Sequence, residues 1–76
     1  MEEWSHVELR RLGRAMRVAR HELGLSQEDF AEVAEIHRTY VTRLENGKVN
    51  VSWEIISRVA RALRMKPSTL IARAGM

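Results

Sequence analysis

The stretch "FAEVAEIHRTYVTRLENG", Phe30 to Gly47, constrains the fold more than any other part of the chain. Phe30, Ala31 and Ala34 recur at helical steps on one side of its middle, and Val41 and Leu44 do so on the other. Only a few residues around Glu35 and Ile36 separate the two patterns. Two short helices joined by so tight a turn form a helix-turn-helix. The rest of the chain has to supply what packs against that pair.

The remaining apolar spacing is helical as well. Leu9, Leu12, Met16, Ala19 and Leu23 recur at steps of three and four, which gives one stripe on a first helix over about 7–23. Gly24 stops it, because glycine takes the left-handed conformation cheaply. Ser26 then caps the second helix, and Asp29 stands three residues on, where a capping box wants an acid. The third helix runs over about 38–45, buries Val41 and Leu44, carries Tyr40 at one edge and ends at Gly47. Ser52 caps a fourth helix over about 53–63, with Ile56, Val59, Ala60 and Leu63 inward. Pro67 suits the first turn of a fifth, over about 67–74, which Gly75 closes. Nothing alternates apolar and polar over a long run, so the expected fold is an all-α orthogonal bundle of five helices. At 76 residues it is one domain spanning 1–76, with residues 1–6 read as a loose N-terminal extension.

Composition narrows the function classes. There are no cysteines, which removes disulfides and thiolate chemistry and suits a reducing cytoplasm. The N-terminal residues lack the pattern of a signal peptide, and no stretch approaches the roughly 20 apolar residues of a membrane span. The inventory also argues against an enzyme. The single Asp29 is read as a helix-start acid, and the glycines stand isolated, most of them at helix ends, rather than clustered in a phosphate loop. His6, His21 and His37 lack ligand spacing and cysteine partners, so no metal site is expected, nor any cofactor or small-molecule substrate. The balance of 13 basic against 10 acidic residues gives a net charge of +3 and a sequence pI near 10.2. A pI above about 9 is one mark of a nucleic-acid binder, though a weak one unless the charges are placed.

They are placed. At about 100° per residue, Arg38, Thr39, Thr42, Arg43 and Asn46 fall within one broad outward face of the third helix. In a helix-turn-helix this is the helix that enters the major groove of DNA. Arginine can donate two hydrogen bonds to guanine O6 and N7, and threonine can bond base edges or set its methyl against that of thymine. Solvated faces usually mix Glu and Lys, and these five residues include neither. Arg38, Thr39, Thr42 and Arg43 are therefore the expected base readers. Gln27, in the first turn of the second helix, stands where an amide and the helix N-terminus can hold a phosphate. His37, Tyr40, Asn46, Lys48 and Asn50 flank the reading helix as further expected backbone contacts, although Tyr40 could equally pack. Arg10, Arg14, Arg17 and His21 form a basic stripe on the first helix, opposite its apolar side. A charge run of this kind is more often a solvated face than a binding surface.

The segment "LGLSQEDFAEVAEIHRTYVTRLENGKVNVSWEIISRVARAL" resembles the Cro/phage-repressor, or XRE-like, type of helix-turn-helix domain. Within it, "HRTY" and "NGKVNVS" look most like the controller proteins of restriction–modification systems. The resemblance implies a five-helix bundle of the lambda-repressor-like type, with helices two and three as the motif. It implies a homodimer, binding to a palindromic double-stranded operator, transcriptional control in the cytoplasm, and RNA polymerase as a further partner to consider. It also implies a structural ion pair between Arg20 and Glu45, holding the reading helix against the first helix. Two positions depart from the family pattern. Glu35 stands in the motif's turn and Arg64 after the fourth helix, where the family favours glycine. A non-glycine residue in a left-handed position costs about 1 kcal/mol or somewhat more.

One reading helix covers only a few base pairs, too little for selective binding in a genome. A dimer needs a surface away from the third helix. Leu70 and Ile71 stand side by side on the fifth helix and point about 100° apart. Leu70 is assigned to the core, and Ile71, with Met65 and Trp53, to a two-fold interface. The rival class is a protein-interaction module, such as an antitoxin or scaffold, that uses the same fold with a polar third helix that reads nothing.

Overall fold

The computed structural model describes residues 4–76. Five helices follow in order: α1 (His6–Glu22), α2 (Gln27–Ala34), α3 (Arg38–Glu45), α4 (Trp53–Ala62) and α5 (Pro67–Arg73). The bounds differ by one residue from the sequence expectation at four ends, both ends of α1 and the C-terminal ends of α4 and α5, which is the usual fraying of a helix terminus. No strand occurs among the described residues. The helices pack as α1 on α3 and α5, α2 on α3 and α4, and α4 on α5. One core results. Its most deeply buried large side chains are Leu12 and Met16 from α1, Phe30 from α2, Val41 from α3, Ile56 and Val59 from α4, and Leu70 from α5. No helix is long and apolar enough to cross a membrane.

Local chemistry sets the starts and stops. Ser26 Oγ accepts from the Asp29 backbone N–H at 3.0 Å, and the Asp29 carboxylate accepts from the Ser26 N–H, which closes the expected capping box. Ser52 caps α4 by accepting from Ile55 N–H at 3.2 Å. A second capping box, Ser5 with Glu8, starts α1. It follows the same serine-to-acid spacing and was legible in the sequence.

Trp4 to His6 depart from the expectation of a loose extension over residues 1–6. Residues 1–3 lie outside the described part, but Trp4 to His6 are tied down. The Trp4 indole Nε1–H donates to the Val51 carbonyl at 3.1 Å, Ser5 caps α1, and His6 is its first residue. An indole brings a large apolar surface and one donor, and here both find partners, because Trp4 also packs against the core.

The turn of the motif is left-handed at Glu35, with φ 59° and ψ 44°. The chain reverses there by a Schellman-type closure: Ile36 N–H reaches back to the Ala31 carbonyl at 3.0 Å. The strain of a side chain at positive φ is offset from outside, since Arg58 Nη1–H of α4 donates to the Glu35 carbonyl at 3.2 Å. Arg64, at φ 61°, is the second such residue. Both departures from the family's glycines are thus real left-handed positions.

Gly13 decides how α1 meets α3. A Cβ at Gly13 would lie 2.4 Å from the Leu44 carbonyl oxygen and 2.6 Å from that of Glu45. Only glycine lets the α1 backbone approach the end of α3 this closely.

Candidate nucleic-acid interface

α3 presents Arg38, Thr39, Thr42, Arg43 and Asn46 to solvent, while Val41 and Leu44 on its opposite side are buried. The outward residues face an open groove between the start of α2 and α3. Gln27 and Glu28 line it from α2, and Arg38, Thr39, Thr42 and Arg43 line it from α3. The structure therefore brings all four expected base readers to one concave surface. Arg43 makes no ion pair among the described residues.

His37 starts the helix rather than merely flanking it. Its Nδ1 accepts from the Thr39 backbone N–H at 3.1 Å. An accepting Nδ1 fixes the proton of the neutral ring on Nε2, so the outer nitrogen is a donor. Tyr40 is half-buried and packs against the core. Asn46 caps the end of α3, and its Oδ1 accepts from Arg17 Nη2–H of α1 at 3.2 Å. Lys48 and Asn50 are exposed on the loop that leads to α4. Of the basic stripe on α1, Arg17 thus borders the end of α3. Arg10 lies under Gly47, where an added Cβ would stand 2.8 Å from the Arg10 Cγ.

Gln27 is the residue whose surroundings differ most from the sequence expectation. Its amide does not point free toward a phosphate. Nε2–H donates to Glu45 Oε1 at 3.2 Å, and Oε1 accepts from the Thr42 hydroxyl at 3.0 Å. The side chain ties α2 to α3, and the backbone N–H groups of the first turn are what α2 has left to offer an anion. The Thr42 hydroxyl proton is engaged by the same bond. Its methyl and oxygen lone pairs remain for a ligand.

Behind this surface lies a buried ionic node. Arg20 Nε–H and Nη2–H donate to the two carboxylate oxygens of Glu45 at 2.6 and 3.0 Å, and Arg20 Nη1–H donates to the Leu25 carbonyl at 2.8 Å. The two residues are 6% and 4% exposed, so they sit deeper than the helix-edge positions that the sequence suggested. With Gln27 also on Glu45, no buried side-chain polar atom among the described residues lacks a partner. The node fixes α3 against both α1 and α2, and the outer face is presented on a rigid base.

Two features of the site were missed by sequence reasoning. Glu28 forms an ion pair with Arg38, Nη1 to Oε1 at 2.8 Å, with both side chains exposed. The α2–α3 turn separates them, so no helical spacing rule links the two. The Trp4 bond to Val51 likewise joins positions far apart in sequence. For the expected dimer surface, Leu70 is fully buried, Ile71 and Met65 are half-buried, and Trp53 is 62% exposed.

Comparison with known proteins adds independent information. A family model described as a helix-turn-helix domain matches residues 11–74. The chain is 38% identical over 47 residues to the control protein C.BamHI of Bacillus amyloliquefaciens, an alignment covering 62% of this chain and 58% of that protein. It spans more of the control protein C.MunI of a Mycoplasma species, with 36% identity over 63 residues, 82% of this chain and 85% of the relative. Among solved structures, it superposes on the restriction–modification controller protein C.AhdI from Aeromonas hydrophila with a TM-score of 0.79 and 39% identity. That match covers 82% of this chain and 94% of C.AhdI.

Proposed function

The chain belongs to the helix-turn-helix domain family, of the restriction–modification controller type, and from that premise we propose that it is a sequence-specific DNA-binding transcriptional regulator. It acts as a homodimer on a two-fold symmetric operator, within a restriction–modification system. The observation that carries this reading is the outer face of α3. Two arginines and two threonines stand exposed along one groove, on a helix locked from behind by the Arg20–Glu45 node.

Each part then has a physical task. Arg38 and Arg43 reach guanine edges with two donors each, and Thr39 and Thr42 contact neighbouring bases. His37, through its Nε2–H, and Asn46, Lys48 and Asn50 contact the phosphates on either side and set the register. Tyr40, half-buried at the helix edge, adds its hydroxyl. The amides of the first turn of α2 hold a further phosphate, with Gln27 serving to fix that turn against α3. Two copies place two reading helices one turn of DNA apart, about 34–36 Å. Ile71, Met65 and Trp53 supply the self-complementary patch, away from the groove. RNA polymerase is the partner through which such a bound dimer would act on transcription.

Recovery of genomic fragments bound by the protein tests the reading directly. The expected product is one short, two-fold symmetric sequence. Recovery of unrelated fragments with no shared sequence would count against it. The dimer has its own test. Ile71→Glu sets two carboxylates near the symmetry axis, so sedimentation should show a monomer of unchanged helical content that has lost operator binding. An unaltered dimer would put the interface elsewhere.

A further inference from the structure

Arg10, Arg14, Arg17 and His21 fall within a narrow arc of α1, about 60° wide at about 100° per residue. All four are exposed. At about 1.5 Å per residue they form a row roughly 16 Å long. The row borders the end of α3 and the loop beyond it. Arg17 Nη2–H donates to Asn46 Oδ1 at 3.2 Å, and its Nε lies 3.8 Å from Glu45 Oε1. Arg10 passes under Gly47, where an added Cβ would stand 2.8 Å from the Arg10 Cγ. Lys48 is exposed beside that glycine.

Such a row is unfavourable in the free protein. Arg10 and Arg14 are four residues apart and Arg14 and Arg17 three, spacings at which like charges on a helix repel. The acids of α1, Glu8 and Glu22, lie outside the arc. Arginines on other faces take an acid: Arg38 pairs with Glu28, Arg58 with Glu54 and Arg73 with Glu22. Arg10 and Arg14 make no ion pair among the described residues. A polyanion would relieve the repulsion, and the row begins where the proposed phosphate contacts Asn46 and Lys48 end. The arc also holds no apolar side chain, because the exposed Val7 and Val18 lie outside it. That favours a phosphate backbone over a protein partner, whose interfaces bury apolar surface.

We infer that Arg10, Arg14 and Arg17 form a second phosphate-binding surface, which carries the DNA contact from the end of α3 along α1. The inference rests on the proposed binding of DNA through α3 and extends it by contacts that read no sequence. Each arginine that meets a phosphate releases counterions, so the row contributes affinity that is lost as salt rises.

The test measures DNA binding across a salt series. The probes are a duplex selected by the wild-type protein from random sequence and a scrambled duplex of equal length. Arg10→Gln,Arg14→Gln keeps the inner stems of both side chains and removes two charges per protomer. Arg17 is left in place because its bond to Asn46 also holds the end of α3. A dimer loses four contacts, and at about 0.9 per phosphate its log–log salt slope should become shallower by roughly three to four, on both duplexes alike. The ratio of selected to scrambled affinity should stay within about threefold of wild type, since phosphate contacts carry no sequence information. The control Arg11→Gln,Arg61→Gln removes the same charge from α4 and from the edge of α1 that faces α5. It should move the slope by less than about one. Thermal melting checks that each variant folds as the wild type does. A change in slope below about one in the row variant overturns the inference. So does an equal change in the control, which would assign the effect to net charge. A loss confined to the selected duplex overturns it as well, by making the row a reader of bases. Wild-type binding that ignores salt on both duplexes would overturn the proposed function and the inference with it. Salt-dependent binding that does not separate the duplexes would overturn base reading alone, and the slope of the row variant would still decide the inference.

Discussion

Two arginine–glutamate pairs sit on either side of the first turn of α2, and they could hardly be more different. Arg20 and Glu45 meet through two hydrogen bonds at 2.6 and 3.0 Å, with side chains 8% and 1% exposed. Arg38 and Glu28 meet through one at 2.8 Å, with side chains 61% and 72% exposed. The partners are chemically the same and the shortest distances are similar. What differs is water. Around the first pair there is little to stabilise a lone charge, and every remaining polar atom is met by protein, Leu25 and Gln27 included. Around the second pair water solvates either partner as it leaves. The same ionic contact is therefore a fixed joint in one place and an opening contact in the other. The base reading proposed for α3 needs both: a back that does not move and a front whose side chains do.

The largest break in this comparison comes from the buried side. Glu45→Ala leaves the Arg20 guanidinium buried without its carboxylate, a loss of about 3–5 kcal/mol. For a domain this small that approaches the whole of its stability. Urea unfolding should show the midpoint collapse, and the Arg20→Ala,Glu45→Ala double variant should cost less than the sum of the singles. Strictly additive losses would deny the contact its energy.

Arg38→Ala probes the exposed side. It should cost about 1–3 kcal/mol of binding on the selected operator and relax the preference at one base pair. Unfolding should move by no more than about 0.5 kcal/mol, the usual scale for an exposed substitution. Equal losses on operator and random DNA would remove Arg38 from base reading.

The smallest effect sharpens the contrast. The exposed pair should contribute under about 1 kcal/mol to folding, and molar salt should erase even that. A double-mutant cycle on Arg38 and Glu28, run at low and high salt, reads this contribution. A coupling that survives high salt would make the exposed pair structural after all.

Much of this architecture is legible in the residues. The stripes of α1 and α4 repeat cleanly, Ser26 and Ser52 mark starts, and the short interval around Glu35 and Ile36 names the motif. The outward face of α3 follows from its helical period alone. The Arg20–Glu45 pair, by contrast, came from family resemblance, since the two lie on different helices and no local rule joins them. What stayed hidden has the same cause. Glu28 with Arg38, Gln27 with Glu45 and Thr42, and Trp4 with Val51 are all contacts between elements, made only once the helices cross. Gly13 is hidden for another reason: in an amphipathic stripe it reads as a weak helix position, and only the carbonyl of Leu44 beneath it explains why nothing larger stands there. The Ser5–Glu8 capping box was in plain view, and reading residues 1–6 as an extension obscured it.

The central claim is that α3, held rigid from behind, reads bases while the surrounding groups grip phosphates. Titration of the wild-type protein against the selected duplex and its scrambled counterpart, across a series of salt concentrations, tests it most directly. Both affinities should fall linearly on a log–log plot, as counterion release requires. The selected duplex should remain tighter throughout, by a factor on the order of 10³ or more. Binding that ignores salt, or that falls with salt but does not distinguish the two duplexes, would contradict the account.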